Sequence, residues 1–180
     1  MQASFWIEKW KKSEIGFHKS DIDTNLMQFW SCLGLKPGQQ VFVPLCGKSL
    51  DMLWLAGQGH KVIGVELSPL ACEAFFADNN LTPRRFREGA FEVWSADEIR
   101  ILQGDFFDLG WEHLADCAGV YDRASLVAPP VPFSRGFRKA RRWLRAVKRS
   151  GTECSQRATA QISVAFPNRA GLAGAANRPL

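Results

Sequence analysis

An α/β fold built on a parallel sheet is predicted by three features of this 180-residue chain. Short apolar runs rich in β-formers alternate with helical stretches, the pattern of βαβ units. The first such run, VFVPL, ends in the turn Cys46-Gly47-Lys48. The second, KVIGVE, ends in the acid Glu66, nineteen positions after Gly47. That spacing matches the glycine turn and ribose-binding acid of nucleotide folds.

The elements follow in order. Phe5 to Lys12 is aromatic and charged, and predicts a short helix. Asp21 or Ser20 can cap a second helix, in which Ile22, Leu26, Phe29, Trp30 and Leu33 share one face. Gly34 and Pro37-Gly38 stop it. Val41 to Leu45 is a buried strand, and Leu50 to Gln58 a helix closed by Gly59. Lys61 to Glu66 is the second strand. Ser68-Pro69 opens a third helix in the favoured cap-then-proline order, running to about Asn79. Thr82 to Ala96 carries weaker signals, with Phe91 to Trp94 its best strand candidate. Ile99 to Gln103 and Ala118 to Tyr121 are the third and fourth core strands. Ligands of such sheets sit beyond the carboxyl ends of the strands. Those ends carry Leu45-Cys46-Gly47, Glu66, Asp105 and Asp122-Arg123.

The turn after the first strand ends in Gly47-Lys48-Ser49, like a P-loop, but the position of the first P-loop glycine is Phe42. A run of glycines to cradle a triphosphate is missing as well. With a single glycine in the turn, the reading is adenosine carrying a small zwitterionic tail, which S-adenosylmethionine fits better than NAD. Lys48 is then a surface or packing residue. Alone, Glu66 would serve equally as a solvated strand end; the preceding strand and glycine turn favour a ribose ligand.

Composition excludes other classes. The five cysteines are odd in number and form no C-x-x-C pair, so they read as reduced thiols of a cytoplasmic protein. His18, His60 and His113 lack metal spacing, and no metal is expected. No apolar run approaches the roughly 20 residues of a membrane span, and the N-terminus lacks signal-peptide order. The net charge of +5 is uneven: the last 52 residues hold 11 basic residues and one acid.

Four stretches resemble the thiopurine S-methyltransferase family, in its bacterial type: FWIEKWKKSEIGFH, VFVPLCGKSLDMLWLAGQGH, VIGVELSPLACEAFF and VYDRASLVA. The resemblance covers about Ser4 to Ala128. It implies a class I methyltransferase fold, a Rossmann-like, doubly wound, seven-stranded sheet with helices on both faces. It implies methyl transfer from S-adenosyl-L-methionine to the sulfur of aromatic and heterocyclic thiols, with selenium or tellurium compounds as further acceptors. By position, Trp10, Leu45, Glu66, Asp105, Phe106 and Arg123 would bind the cofactor. Phe17 and Arg123 would line the acceptor pocket, Arg123 favouring the acceptor thiolate. A small-molecule thiol is the expected partner of a monomeric chain, with no membrane or nucleic acid.

After Ala128 the composition shifts to Arg, Ala, Gly and Pro. The expectation is a cofactor-binding part over 1–128 and a divergent, out-of-frame basic tail over 129–180. The sheet would then be incomplete after its fourth core strand, leaving an exposed edge, a poorly stable chain and weak or no activity. Within the tail, Phe133, Phe137, Leu144 and Val147 fit a basic amphipathic helix, read as a chance pattern, and Ile162 to Phe166 could pair as a strand. The rival functions are an ATP- or NAD-binding protein and a nucleic-acid binder acting through the tail.

Overall fold

The computed structural model describes residues 3–123 and 162–163. Helix α1 (Ala3–Lys11) is followed by α2 (Thr24–Phe29), whose last turn tightens into a 3-10 helix at Trp30–Leu33. Then come β1 (Gln40–Val43), α3 (Asp51–Gly57), β2 (Lys61–Glu66) and α4 (Pro69–Asp78). The hairpin β3 (Arg84–Glu88) and β4 (Phe91–Ala96) precedes β5 (Ile99–Gln103). Helix α5 (Trp111–Leu114), β6 (Cys117–Tyr121) and β7 (Ile162–Ser163) complete the order.

The strands form one sheet in the order β3-β4-β5-β2-β1-β6-β7. Its centre, β5-β2-β1-β6, is parallel, as expected. Both flanks are antiparallel: β3 and β4 on one side, β7 on the other. The sequence reading therefore missed β3 and took the sheet as more uniformly parallel than it is. Every residue of β3 is exposed, so no apolar periodicity announced it. Its strand state comes from pairing with β4, Arg84 opposite Ser95 through Glu88 opposite Phe91.

The edge expected bare at the fourth core strand is paired over two residues, within the run read as a possible strand. Val120 and Tyr121 of β6 pair with Ser163 and Ile162 of β7. The proposed amphipathic helix at Phe133 to Val147 lies outside the described residues, as does the rest of the tail.

Two apolar layers sandwich the sheet. One gathers Leu26, Met52, Leu55, Phe75, Phe76 and Tyr121 among others. The other gathers Phe42, Ile63, Val65, Phe91, Leu102 and Leu114. Alternate residues of β2 feed alternate layers, Val62 to the first and Ile63 to the second, as period-two geometry requires. The expected face of α2 holds: Leu26 and Trp30 are core, with Ile22, Phe29 and Leu33 against them.

The cap of α2 is Asp23, not Asp21 or Ser20. Asp23 Oδ1 accepts from the amides of Asn25 (2.8 Å) and Leu26 (3.3 Å). Asp21 instead takes the Ser20 hydroxyl. Ser68 occupies the cap position of α4 with Pro69 following, but its side chain makes no capping bond.

Candidate functional site

The site forms where β1, β2 and β5 end side by side. After β1 the chain turns through two left-handed residues, Leu45 (φ +46°) and Gly47 (φ +53°). The glycine tolerates that conformation; the leucine does so at a cost of order 1–3 kcal/mol. Leu45 is also exposed, so its strain presents an apolar side chain outward at the strand end.

The turn is fastened to β2. Cys46 N–H donates to the Val65 carbonyl at 3.0 Å. Gly47 N–H donates to Glu66 Oε2 at 2.9 Å, and Ser68 N–H to Glu66 Oε1 at 2.7 Å. Glu66 is 7% exposed. Burial pushes its carboxyl above the usual range, and the amides of Ser68, Gly47 and Leu67 offset part of that push. Three amides on two carboxylate oxygens leave lone-pair capacity for a ligand. On the far side of Glu66, Gly104 N–H donates to the Glu66 carbonyl at 2.9 Å, and Gln103 Nε2 to the Leu67 carbonyl at 3.2 Å. Asp105 therefore starts next to Glu66. It is exposed and caps the short 3-10 helix Phe106–Asp108, accepting from Phe107 N–H at 2.9 Å. Phe106 packs against the second core layer.

An aromatic group from the N-terminal segment covers the turn. A Cβ placed on Gly47 would lie 3.3 Å from Trp10 Cζ2, so the indole rests on the glycine. Phe17 meets the rings of Trp10 and Trp6 edge-on, with centroids 5.7 and 5.4 Å away, and stays 48% exposed. Direct contacts thus link Phe17, Trp10, Gly47, Glu66 and Gly104-Asp105 in sequence.

Arg123 stands apart from that line. Its Nη1 lies 2.9 Å from Asp51 Oδ2, and Asp51 is fully buried. Asp51 also accepts from Asp23 N–H (2.8 Å), the Ser49 hydroxyl (2.9 Å) and the Tyr121 hydroxyl (2.9 Å). Burial first, then the Asp51 charge, pushes the Tyr121 phenol upward, so it stays protonated and donates. Arg123 therefore belongs to a buried ion-pair network, the structural alternative to a free thiolate-binding cation. Its guanidinium is partly neutralised before any acceptor arrives. Asp51 went unnoticed in the sequence because a first-turn aspartate after a serine is ordinary; its role depends on groups as remote as Tyr121.

Lys48 pairs with Asp78 of α4 at 2.8 Å, consistent with a surface and packing role. No group of three or more His, Cys, Asp or Glu suited to a metal ion occurs among the described residues.

The family model for Thiopurine S-methyltransferase (TPMT) matches residues 1–148. The chain belongs to the thiopurine S-methyltransferase family. That match runs twenty residues past Ala128. Curated relatives named thiopurine S-methyltransferase agree. That of Pseudomonas entomophila is 54% identical over 130 residues, 72% of this chain and 60% of the relative. That of Nitrosospira multiformis is 54% identical over 72% of this chain and 59% of the relative. That of Pseudomonas putida strain GB-1 is 48% identical over 81% of this chain and 68% of the relative. The chain spans about three fifths of the length of the first two. Among solved structures, a TehB-like SAM-dependent methyltransferase from Corynebacterium glutamicum aligns at 16% identity with a TM-score of 0.34, covering 59% of this chain and 47% of that one. The parallel centre with helices on both faces is the class I methyltransferase arrangement implied by the family.

Proposed function

We propose that this chain binds S-adenosyl-L-methionine at the Glu66 turn and serves methyl transfer to the sulfur of a small aromatic or heterocyclic thiol. The observation that carries the reading is Glu66, buried at the tip of β2 and held by the amides of Gly47 and Ser68. In a member of this family, a carboxylate so fixed suits the two ribose hydroxyls. A Cβ on Gly47 would press on the Trp10 indole, so the glycine lets that ring close over the turn.

Glu66 would accept from the ribose. Asp105 and Phe106, starting beside the Glu66 backbone, would flank the adenine. Leu45 and Trp10 would enclose the methionine end, and Phe17 would line the acceptor side. Bound cofactor supplies a methyl group already activated on a sulfonium. The residues then need to hold, align and keep dry; positioning of this kind is worth about 7–11 kcal/mol in well-oriented reactions. Arg123, tied to Asp51, would act on the acceptor thiolate as a partly neutralised cation at longer range. Selenium or tellurium acceptors belong to the same proposal, because their anions are similarly soft nucleophiles. Among the described residues no helix is long and apolar enough to cross a membrane.

Calorimetric titration with S-adenosylhomocysteine tests the reading. The parent chain should bind it and ignore ATP and NAD. Glu66→Ala should weaken binding by about 1.5–3 kcal/mol, the worth of hydrogen bonds to a charged group. Binding of ATP or NAD in its place, or equal binding by the variant, would count against the assignment.

A further inference from the structure

A cavity of about 420 Å³ opens beside the hairpin of β3 and β4, at the carboxyl end of β5. Small-molecule sites run from about 300 to 1,000 Å³, so the size suits a small ligand. Its walls include Arg85, Phe86 and Arg87 of β3, Glu92 of β4, and Gln103 and Gly104 at the end of β5. None of the residues assigned above to cofactor or acceptor lines it. It is nevertheless their neighbour, because Gly104 directly precedes Asp105.

The two arginines differ in what holds them. Arg85 Nε and Nη2 donate to Glu92 Oε1 at 3.2 and 2.9 Å. The same guanidinium lies over the Trp94 ring, 3.9 Å from its centre, and Trp94 is buried and stacks on Phe76. Arg85 is therefore a fixed wall. Arg87 stands opposite Glu92 in the strand register, but Glu92 is engaged by Arg85. The next carboxylate along, Glu88, is taken by Arg100 at 2.8 Å. Among the described residues Arg87 makes no hydrogen bond or ion pair. Two arginines and one carboxylate leave a single positive charge at the cavity. Phe86, 42% exposed, adds an aromatic wall.

We propose that this cavity binds a small organic monoanion, a carboxylate carried on a flat apolar ring. The uncommitted Arg87 guanidinium matches one carboxylate, which its planar fork meets with two parallel N–H bonds. A dianionic phosphate would leave one of its charges unmatched. The ligand's ring would lie against Phe86, as offset aromatic pairs do. The inner wall is fastened to the strand end that carries Glu66. Gln103 Nε2 donates to the Leu67 carbonyl at 3.2 Å, and Gly104 N–H to the Glu66 carbonyl at 2.9 Å. The site is separate from the methyl-transfer reading and stands on its own residues.

The test is an NMR titration of the isotope-labelled full chain with 2-naphthoate, with 2-naphthamide as its uncharged counterpart. Saturable shifts should appear at Arg87 Nε–H and at the amides of Gln103 and Gly104. The amide compound should bind roughly tenfold more weakly or worse, since it cannot form the charged bonds. Arg87→Gln changes an exposed side chain and should weaken 2-naphthoate roughly tenfold, with S-adenosylhomocysteine affinity retained. Arg87→Lys keeps the charge without the fork and should recover only part of the loss. Equal binding of the two compounds, unchanged affinity in Arg87→Gln, or no saturable shift overturns the inference. Shifts centred on Gly47 and Glu66, or displacement of 2-naphthoate by S-adenosylhomocysteine, also overturn it, because the anion would then occupy the cofactor site. If 2-naphthoate binds as described and S-adenosylhomocysteine does not bind, the methyl-transfer reading falls and this site stands.

Discussion

Asp51 shows how much one side chain carries here. A fully buried carboxylate is tolerable only with its hydrogen bonds and its counter-ion in place. Asp51 has both, from Asp23, Ser49, Tyr121 and Arg123. Asp51→Ala should therefore destabilise the chain by about 3–5 kcal/mol, because it strands the Arg123 guanidinium and the Tyr121 hydroxyl. Urea unfolding checks the value. Asp78→Ala removes a carboxylate that is 55% exposed, and should cost under about 1 kcal/mol. Equal effects would mean that the Asp51 network is not the anchor described. His18 adds a pH signature. Its folded pKa is depressed, so the unfolded chain binds its proton first as pH falls. Stability associated with neutral His18 is present above the ordinary imidazole pKa of about 6.5 and is lost as pH falls through the lower folded value. The parent should thus lose more stability than His18→Gln on going from about pH 8 to pH 5, as measured by denaturant midpoints.

At the scale of elements, β2 is the most constrained. It is central in the sheet, pairing with β1 and β5, and five of its six residues are buried. A Cβ added at Gly64 would lie 2.7 Å from Cys46 Sγ and 3.2 Å from Met52 Sδ. Gly64→Ala should cost about 1–3 kcal/mol through overpacking, and should also weaken S-adenosylhomocysteine binding, because Cys46 belongs to the turn that holds Gly47. Unchanged stability with unchanged binding would show that the turn has room the packing does not reveal. The extent of β2 was readable in KVIGVE because a buried parallel strand must be almost wholly apolar. The strand Arg84–Glu88 was not readable, since nothing in RRFRE is buried and only β4 makes it a strand. The cap of α2 failed for a similar reason. Three polar residues could have capped that helix, and Asp23 won in part because its own N–H is held by Asp51, 28 residues away.

At the scale of the whole molecule, the packed layers shield three of the four cysteines among the described residues. Cys46, Cys72 and Cys117 are buried, while Cys32 is exposed. Burial pushes all three buried thiols up, Cys117 to about 11. The thiolate is the reactive form, so iodoacetamide at about pH 8 should label Cys32 well before these three, as read by peptide mapping. Labelling of Cys72 at the rate of Cys32 would reveal opening of the layer between α4 and the sheet. That same enclosure places the site. Strand ends from β1, β2 and β5 meet at one rim, and the N-terminal aromatics Trp10 and Phe17 close over it.

The linear chain by itself determined the parallel centre of the sheet, the positions of Gly47 and Glu66 at neighbouring strand ends, and the family. All of these rest on local apolar runs and short motifs, which are properties of neighbouring residues. Tertiary structure alone decided that Arg123 answers to Asp51, that Asp23 caps α2, and that Arg84–Glu88 is a strand. Those outcomes depend on burial and on partners far along the chain, whose proximity no local pattern encodes.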